Sequence, residues 1–232
     1  MAAPVFGVSD VLALGADWEP QSNSPTLAGT RATAAGNDGD IIAETTHNDV
    51  ESGTASYIYI GAETDFATAL AAASADVGDV VDTASLLVTG WSIDYSPCAA
   101  GKRPVITFTY RDGPTAASAT YVTSQTCPTY VSATPVVPTI LTTTDGDAEC
   151  QSSSIALSAQ FGEDLDKDGE FLAGETYGAE ETINLQYVGL PTSITSTGYQ
   201  QTSGPGTNTG AEASNTAYGT NSYTFVKGVT RS

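Results

Sequence analysis

Two stretches of the chain alternate apolar and polar residues with the period of a β-strand. In residues 153–161, Ile155, Leu157, Ala159 and Phe161 share one parity, and in residues 181–188 Ile183, Leu185 and Tyr187 do so against polar partners. Successive side chains of an extended chain point to opposite faces, so both stretches predict strands with one buried face. Residues 104–110 repeat the pattern, with Val105, Thr107 and Thr109 alternating against Ile106, Phe108 and Tyr110. Together with residues 86–95, which carry Trp91, Ile93 and Tyr95 on one parity, they flank the short polar segment 98–103 and predict a hairpin. Residues 56–60 (Ser-Tyr-Ile-Tyr-Ile) and 222–226 (Ser-Tyr-Thr-Phe-Val) are β-branched and aromatic and add two further strands. The one helical pattern is the Ala-rich run 65–74, with Thr64 or Asp65 as N-cap and a stop near Gly78. Strands joined by turns, with a single helix, predict a mainly β protein: an antiparallel β-sandwich or barrel with one short α-helix and long loops.

The segments between these strands set the expected organisation. Residues 1–40 mix Gly, Pro, Ser and Asn and predict an extended arm with one short strand, preceding a sandwich or barrel over residues 41–232. Residues 112–150 hold Pro114, Pro128, Pro135 and Pro138 and predict a crossover whose strands, at 120–123 and 139–143, are short or at an edge. Residues 200–217 are poor in apolar side chains and predict a flexible loop.

Charge narrows the partners. Seven Lys and Arg against 27 Asp and Glu give a net charge of −20, which opposes polyanions and anionic membranes at every approach. The acids are scattered, and Asp outnumbers Glu while Lys is scarce, a composition similar to that of proteins from salt-loving organisms. An anionic wall for a passing polyanion and plain solubility account for the same charge. Chemistry-bearing groups are few. His47 is the single histidine and sits in no triad, no serine occupies a G-x-S-x-G elbow, and no phosphate-binding glycine motif occurs. The reading is therefore not an enzyme. Cys98, Cys127 and Cys150 are spaced as neither a metal knuckle nor a dense disulfide framework; they read as buried thiols, with room for one bridge. The N-terminus has neither a basic n-region nor a long apolar run, so no export signal is expected, and no apolar stretch approaches the length of a membrane-spanning helix.

One motif is sharp. Asp164-Leu-Asp166-Lys-Asp168-Gly169-Glu170-Phe-Leu-Ala-Gly-Glu175 matches D-x-[DN]-x-[DN]-G-x5-E at every position. In such a loop Asp164, Asp166 and Asp168 supply side-chain oxygens, Glu170 a backbone carbonyl and Glu175 up to two carboxylate oxygens to a Ca2+ ion. The flanking patterns are strands, so the expectation is a calcium-stapled hairpin loop with a structural role. An acidic, solvated turn is the competing reading of the same residues.

The order of these pieces resembles that of tail tube proteins of tailed viruses. It is carried by the acidic N-terminal segment, the hairpin of 86–95 with 104–110, the inserted helix, the hairpin of 153–161 with 182–188, the long polar loop, and the closing strand 222–226. The resemblance implies a virion structural protein that assembles with itself, as hexameric rings stacked into a tube, beside other virion proteins. DNA would pass through an anionic lumen without specific binding, and assembly would take place in the host cytoplasm; the composition points to a virus of a halophilic archaeon. The Gly-rich 200–217 and Pro-rich 112–150 segments exceed a minimal tube subunit, which keeps open a capsid decoration or other virion surface protein. An extracellular adhesin-like domain stiffened by calcium is the alternative outside the virion.

Overall fold

The computed structural model describes residues 10–38, 40–73, 77–78, 80–81, 86–112, 141–144, 148–167, 171–196, 198–204 and 220–229. The strands are β1 (Trp18–Ala35), β2 (Ile41–Tyr59), β3 (Val80–Val81), β4 (Leu86–Asp94), β5 (Val105–Asp112), β6 (Leu141–Thr144), β7 (Glu149–Leu165), β8 (Phe171–Val188), β9 (Ser193–Ser196), β10 (Gln200–Ser203) and β11 (Thr220–Gly228). Helix α1 (Phe66–Ala73) follows a single 3-10 turn at Glu63–Asp65, and the four-residue α2 (Ser96–Ala99) lies between β4 and β5. Nine strands form one antiparallel sheet in the order β1-β2-β5-β4-β7-β8-β11-β10, with β3 beside β4; β6 and β9 pair separately. The mainly β, antiparallel architecture expected from the alternation is the one observed, with α1 the one helix longer than a single turn among the described residues.

The register aligns the apolar parities into ribs that cross the sheet. Tyr57 pairs with Ile106, Ile106 with Ile93, Ile93 with Ile155, Ile155 with Ile183, and Ile183 with Phe225, so one continuous row spans six strands. Every member is buried. The next row runs Ala55, Phe108, Trp91, Leu157 and Glu181. Because side chains two apart share a face, the alternate residues form the opposite surface: Ser56, Thr107, Ser92, Ala156 and Thr182 stand in one such row. Hydroxyl and amide groups there bond across strands, with Ser56 Oγ 2.9 Å from Thr107 Oγ1 and Thr224 Oγ1 donating to Asn184 Oδ1 at 3.0 Å.

Aromatic packing seats the helix. Phe66 meets Tyr59 edge-on with centroids 5.0 Å apart, Tyr59 meets Trp18 at 5.3 Å, and the Trp18 indole N–H donates to the Ala69 carbonyl at 3.3 Å. Leu12 belongs to the same core, and its backbone N–H donates to the Tyr57 hydroxyl at 3.0 Å.

Residues 18–35 are not the arm with one short strand that their composition predicts. They form the 18-residue strand β1, which pairs with β2 along most of its length. The reason is its place at the sheet's edge: one side needs no partner, so Pro20 and Pro25, which lack an amide proton, are tolerated there. Three register shifts, between Pro20 and Ser22, Ala28 and Thr30, and Ala34 and Ala35, break the alternation that would have marked the strand. Gly53 on β2 permits the close approach of this edge. A Cβ there would stand 2.7 Å from the Ser24 carbonyl oxygen and 2.7 Å from the Tyr110 hydroxyl, which donates to Asn23 Oδ1.

A second difference lies in β7. The parity of 153–161 assigns Phe161 to the core face, but the register shifts between Ser158 and Gln160. Phe161 instead lies beneath the Arg111 guanidinium, whose carbon is 4.0 Å from the ring centroid. Of the expected crossover 112–150, residues 141–144 form β6 and 149–150 open β7, and of the expected loop 200–217, residues 200–203 form β10 on β11. The strand expected at 120–123 lies outside the described residues.

Candidate functional site

The strands of the two longest hairpins outrun their neighbours. β2 pairs with β5 only over Ser52–Ile58, so from Glu51 to Ile41 it has β1 as its one strand partner among the described residues. At roughly 3.4 Å per residue this leaves a two-stranded ribbon about 35 Å long. β7 pairs with β4 only over Ser154–Ser158, and beyond Glu180 the strand β8 pairs with β7 alone, leaving a second ribbon from Gln160–Tyr177 to Leu165–Phe171. Both ribbons leave the same end of the sheet. Ser52 lies opposite Arg111, Arg111 opposite Leu87, and β7 runs past Gly90 toward that same end of β4.

Exposed large apolar side chains concentrate on these ribbons. Leu27, Ile41 and Ile42 are 72%, 58% and 71% exposed on the first, and Leu165, Leu172 and Tyr177 stand exposed on the second. The two other exposed large apolar residues among those described are Ile60 and Val188. Both lie at the opposite end, where β2 and β8 finish. That end also carries the turn before β5, in which Lys102 and Arg103 are exposed and Arg103 donates to the Gly61 carbonyl at 2.6 Å. A two-stranded ribbon in water is marginal by itself. The base of the second ribbon is braced: Arg111 Nη2 lies 2.6 Å from Glu163 Oε2, above the Phe161 ring. The first ribbon carries an exposed pair between Arg31 and Glu44.

The acidic motif falls at the tip of the second ribbon. Its flanks are strands, as expected. Asp164 pairs with Ala173 and Gly162 with Glu175, so Asp164 and Glu175, the first and twelfth positions of the loop, share one ribbon face as diagonal neighbours. Diagonal pairs on a ladder stand about 7–8 Å apart, a span that one cation with carboxylate ligands on both sides bridges. Asp166 is exposed just past β7, and Asp168 and Glu170 lie outside the described residues. Among the described residues no three His, Cys, Asp or Glu side chains gather as a metal group. If the loop takes calcium, the melting temperature of the protein rises with Ca2+ over chelator, and Asp164→Ala with Asp168→Ala abolishes the rise; equal melting of the parent in both solutions removes the site.

The cysteines read as structural. Cys98 and Cys150 are buried and unbridged, and Cys127 lies outside the described residues. Burial, reinforced by the Asp94 charge, pushes the Cys98 thiol up to about 11, so at neutral pH almost none of it is the reactive thiolate. Burial also pushes the Tyr57 phenol up to about 12. Both groups fold best in their neutral forms. The stability they confer is complete below their ordinary values of 9.0 and 10.0 and is lost as pH rises through about 11 and 12. Native protein is thus expected to resist iodoacetamide at Cys98 near neutral pH, and its melting temperature to fall between pH 9 and 12. Rapid labelling of the folded chain at Cys98 would contradict the assignment.

His47 falls in the first ribbon, where its backbone pairs with Thr30. Sequence reasoning found the acidic loop and missed the ribbons. Their only local signal is the isolated pair Ile41-Ile42 beside a Gly-Asn-Asp-Gly turn, which reads as a hairpin only once residues 18–35 are known to be extended.

No protein-family model matches the chain, and no curated protein matches it in sequence. Among the described residues no helix is long and apolar enough to cross a membrane.

Proposed function

We propose that this protein is a self-assembling structural subunit of a virion, a tail tube protein in its most specific form, and not an enzyme. The observation that carries the self-assembly reading is the pair of ribbons projecting from one end of an open sheet with their apolar side chains exposed. Such elements bury surface only against another molecule, and a protein whose purpose is assembly supplies that molecule as further copies of itself. The face opposite the core supports the tube form. Its central rows hold Ser56, Thr107, Ser92, Ala156, Thr182, Ser154, Asn184 and Thr224, with Asp94 and Glu180 toward the margins, and Arg111, which shares the parity of Thr107, is paired with Glu163 at the ribbon end. A lumen wall of that composition offers a polyanion nothing to bind, so DNA slides past it.

The test is the assembly state of the purified chain in high salt with and without calcium, by light scattering and negative-stain microscopy. Rings or tubes are expected. A stable monomer at all salt and calcium concentrations overturns the tube reading and favours a decoration protein, to be tried against capsids. A deletion of residues 1–40 is not a clean probe, since it removes Leu12 and Trp18 from the core.

A further inference from the structure

We propose that Arg111 and Asp112, neighbours at the end of β5, clasp the bases of the two ribbons and fix the angle between them. The inference concerns the single chain and holds whether or not copies assemble. It starts from a gap in the ladder. β2 pairs with β5 no further than Ser52, and β7 pairs with β4 no further than Ser158, so past these points neither ribbon has backbone pairing to the central strands among the described residues. A two-stranded ribbon held by pairing at its base alone can bend and twist there.

The side chains of the last two β5 residues bridge that gap on both sides. Toward the first ribbon, Asp112 Oδ2 accepts the Glu51 backbone N–H at 2.8 Å, so the carboxylate carries the β2–β5 ladder one step beyond its last backbone pair. Toward the second, Arg111 reaches past β4, the strand between β5 and β7. It stands opposite Leu87, where β7 no longer pairs with β4, and its guanidinium carbon lies 4.0 Å from the Phe161 ring centroid while Nη2 lies 2.6 Å from Glu163 Oε2. The pair is sheltered, with the Arg111 side chain 19% and the Glu163 side chain 33% exposed, and the ring covers one face of the guanidinium. Arg111 Nε also donates to the Asp112 carbonyl at 3.2 Å, which ties the two holds together. One dipeptide thus grips both ribbon bases, and two tips that could otherwise move separately are presented as a pair.

The distance between the ribbons tests this. Spin labels carried on unnatural amino acids at Asn37 and Ala173, both exposed and one on each ribbon, report it by pulsed electron resonance, with labelled chains diluted in unlabelled ones so that only pairs within a chain contribute. The parent is expected to give one narrow distance distribution, and Arg111→Gln, Glu163→Gln and Asp112→Ala each to widen it by about twofold or more. Asp112→Ala should also speed hydrogen exchange of the Glu51 amide by about tenfold, as a bond to a charged acceptor is lost. Arg31→Gln is the control: it removes the Arg31–Glu44 pair partway along the first ribbon and should leave the width unchanged. Circular dichroism and melting temperature establish that each variant is folded, and Glu163→Gln changes a side chain one-third exposed. A broad distribution in the parent overturns the clasp. So does a parent width that survives the loss of both Arg111 and Glu163, or one that Arg31→Gln widens as much as they do.

Discussion

Phe108→Ala is expected to cost about 3–5 kcal/mol of folding stability, the range for removing a fully buried aromatic side chain. Phe108 has no exposed surface and lies between Ala55 on β2 and Trp91 on β4, with the Tyr57 ring edge-on at 6.3 Å. Its removal opens a void at a point where two hairpins meet. The flanking strands are tied by backbone bonds on both sides, so the void cannot collapse without breaking the ladder. The control is Ser92→Ala, two strands from β2 on the opposite face, which is expected to stay within about 0.5 kcal/mol of the parent. Urea unfolding followed by circular dichroism measures both. Equal midpoints for the two variants would mean that the ribs are not the core.

The second large effect centres on Glu181. Its side chain is fully buried on the core face, where the row of apolar residues ends: Leu157 stands opposite it on β7 and Lys227 opposite it on β11. The Tyr199 hydroxyl donates to Glu181 Oε2 at 2.8 Å, and the Lys227 ammonium lies 5.4 Å from the Tyr199 ring centroid. A hydrogen bond to a buried charged group contributes about 1.5–3 kcal/mol, and stranding the partners costs as much again. Glu181→Ala is accordingly expected to destabilise the protein by about 3 kcal/mol or more, and Tyr199→Phe by about 1–2 kcal/mol. In a double-mutant cycle the two losses should be less than additive, because each variant already removes the shared bond. Strict additivity would show that the Tyr199–Glu181 contact contributes nothing in solution.

How far the sequence foretold this molecule depends on what each element needed from its neighbours. Strands β4, β5, β7, β8 and β11 were legible because each lies inside the sheet and must keep an apolar parity. β1 was not: at the edge, with Pro20 and Pro25 and three register shifts, it escapes both the hydrogen-bonding and the alternation requirements. The length of the ribbons was illegible for a different reason. It is fixed by where β5 and β4 stop pairing, a property of three strands together that no single segment records. The acidic loop was legible as a motif, and its position at a hairpin tip followed from the strands around it. The sorting of Ile41, Ile42 and Ile60 to opposite ends emerges only from the register.

Strand order also governs how the chain can fold. β4 takes one partner, β5, from the residues immediately after it, and the other, β7, only some sixty residues later in the chain, since Asp94 pairs with Ser154. Closing a loop of that length costs entropy that rises only as the logarithm of its length, but nothing offsets the cost until the pairing is made. The β7–β8 hairpin, whose strands are close in sequence, can form as a local unit, and the sheet is completed when it zips onto β4. Until then Trp91 and Ile93 lack the Leu157 and Ile155 that flank them in the finished sheet. The docking of the β7–β8 hairpin on β4 is thus the step at which the apolar face of β4 passes from exposed to covered.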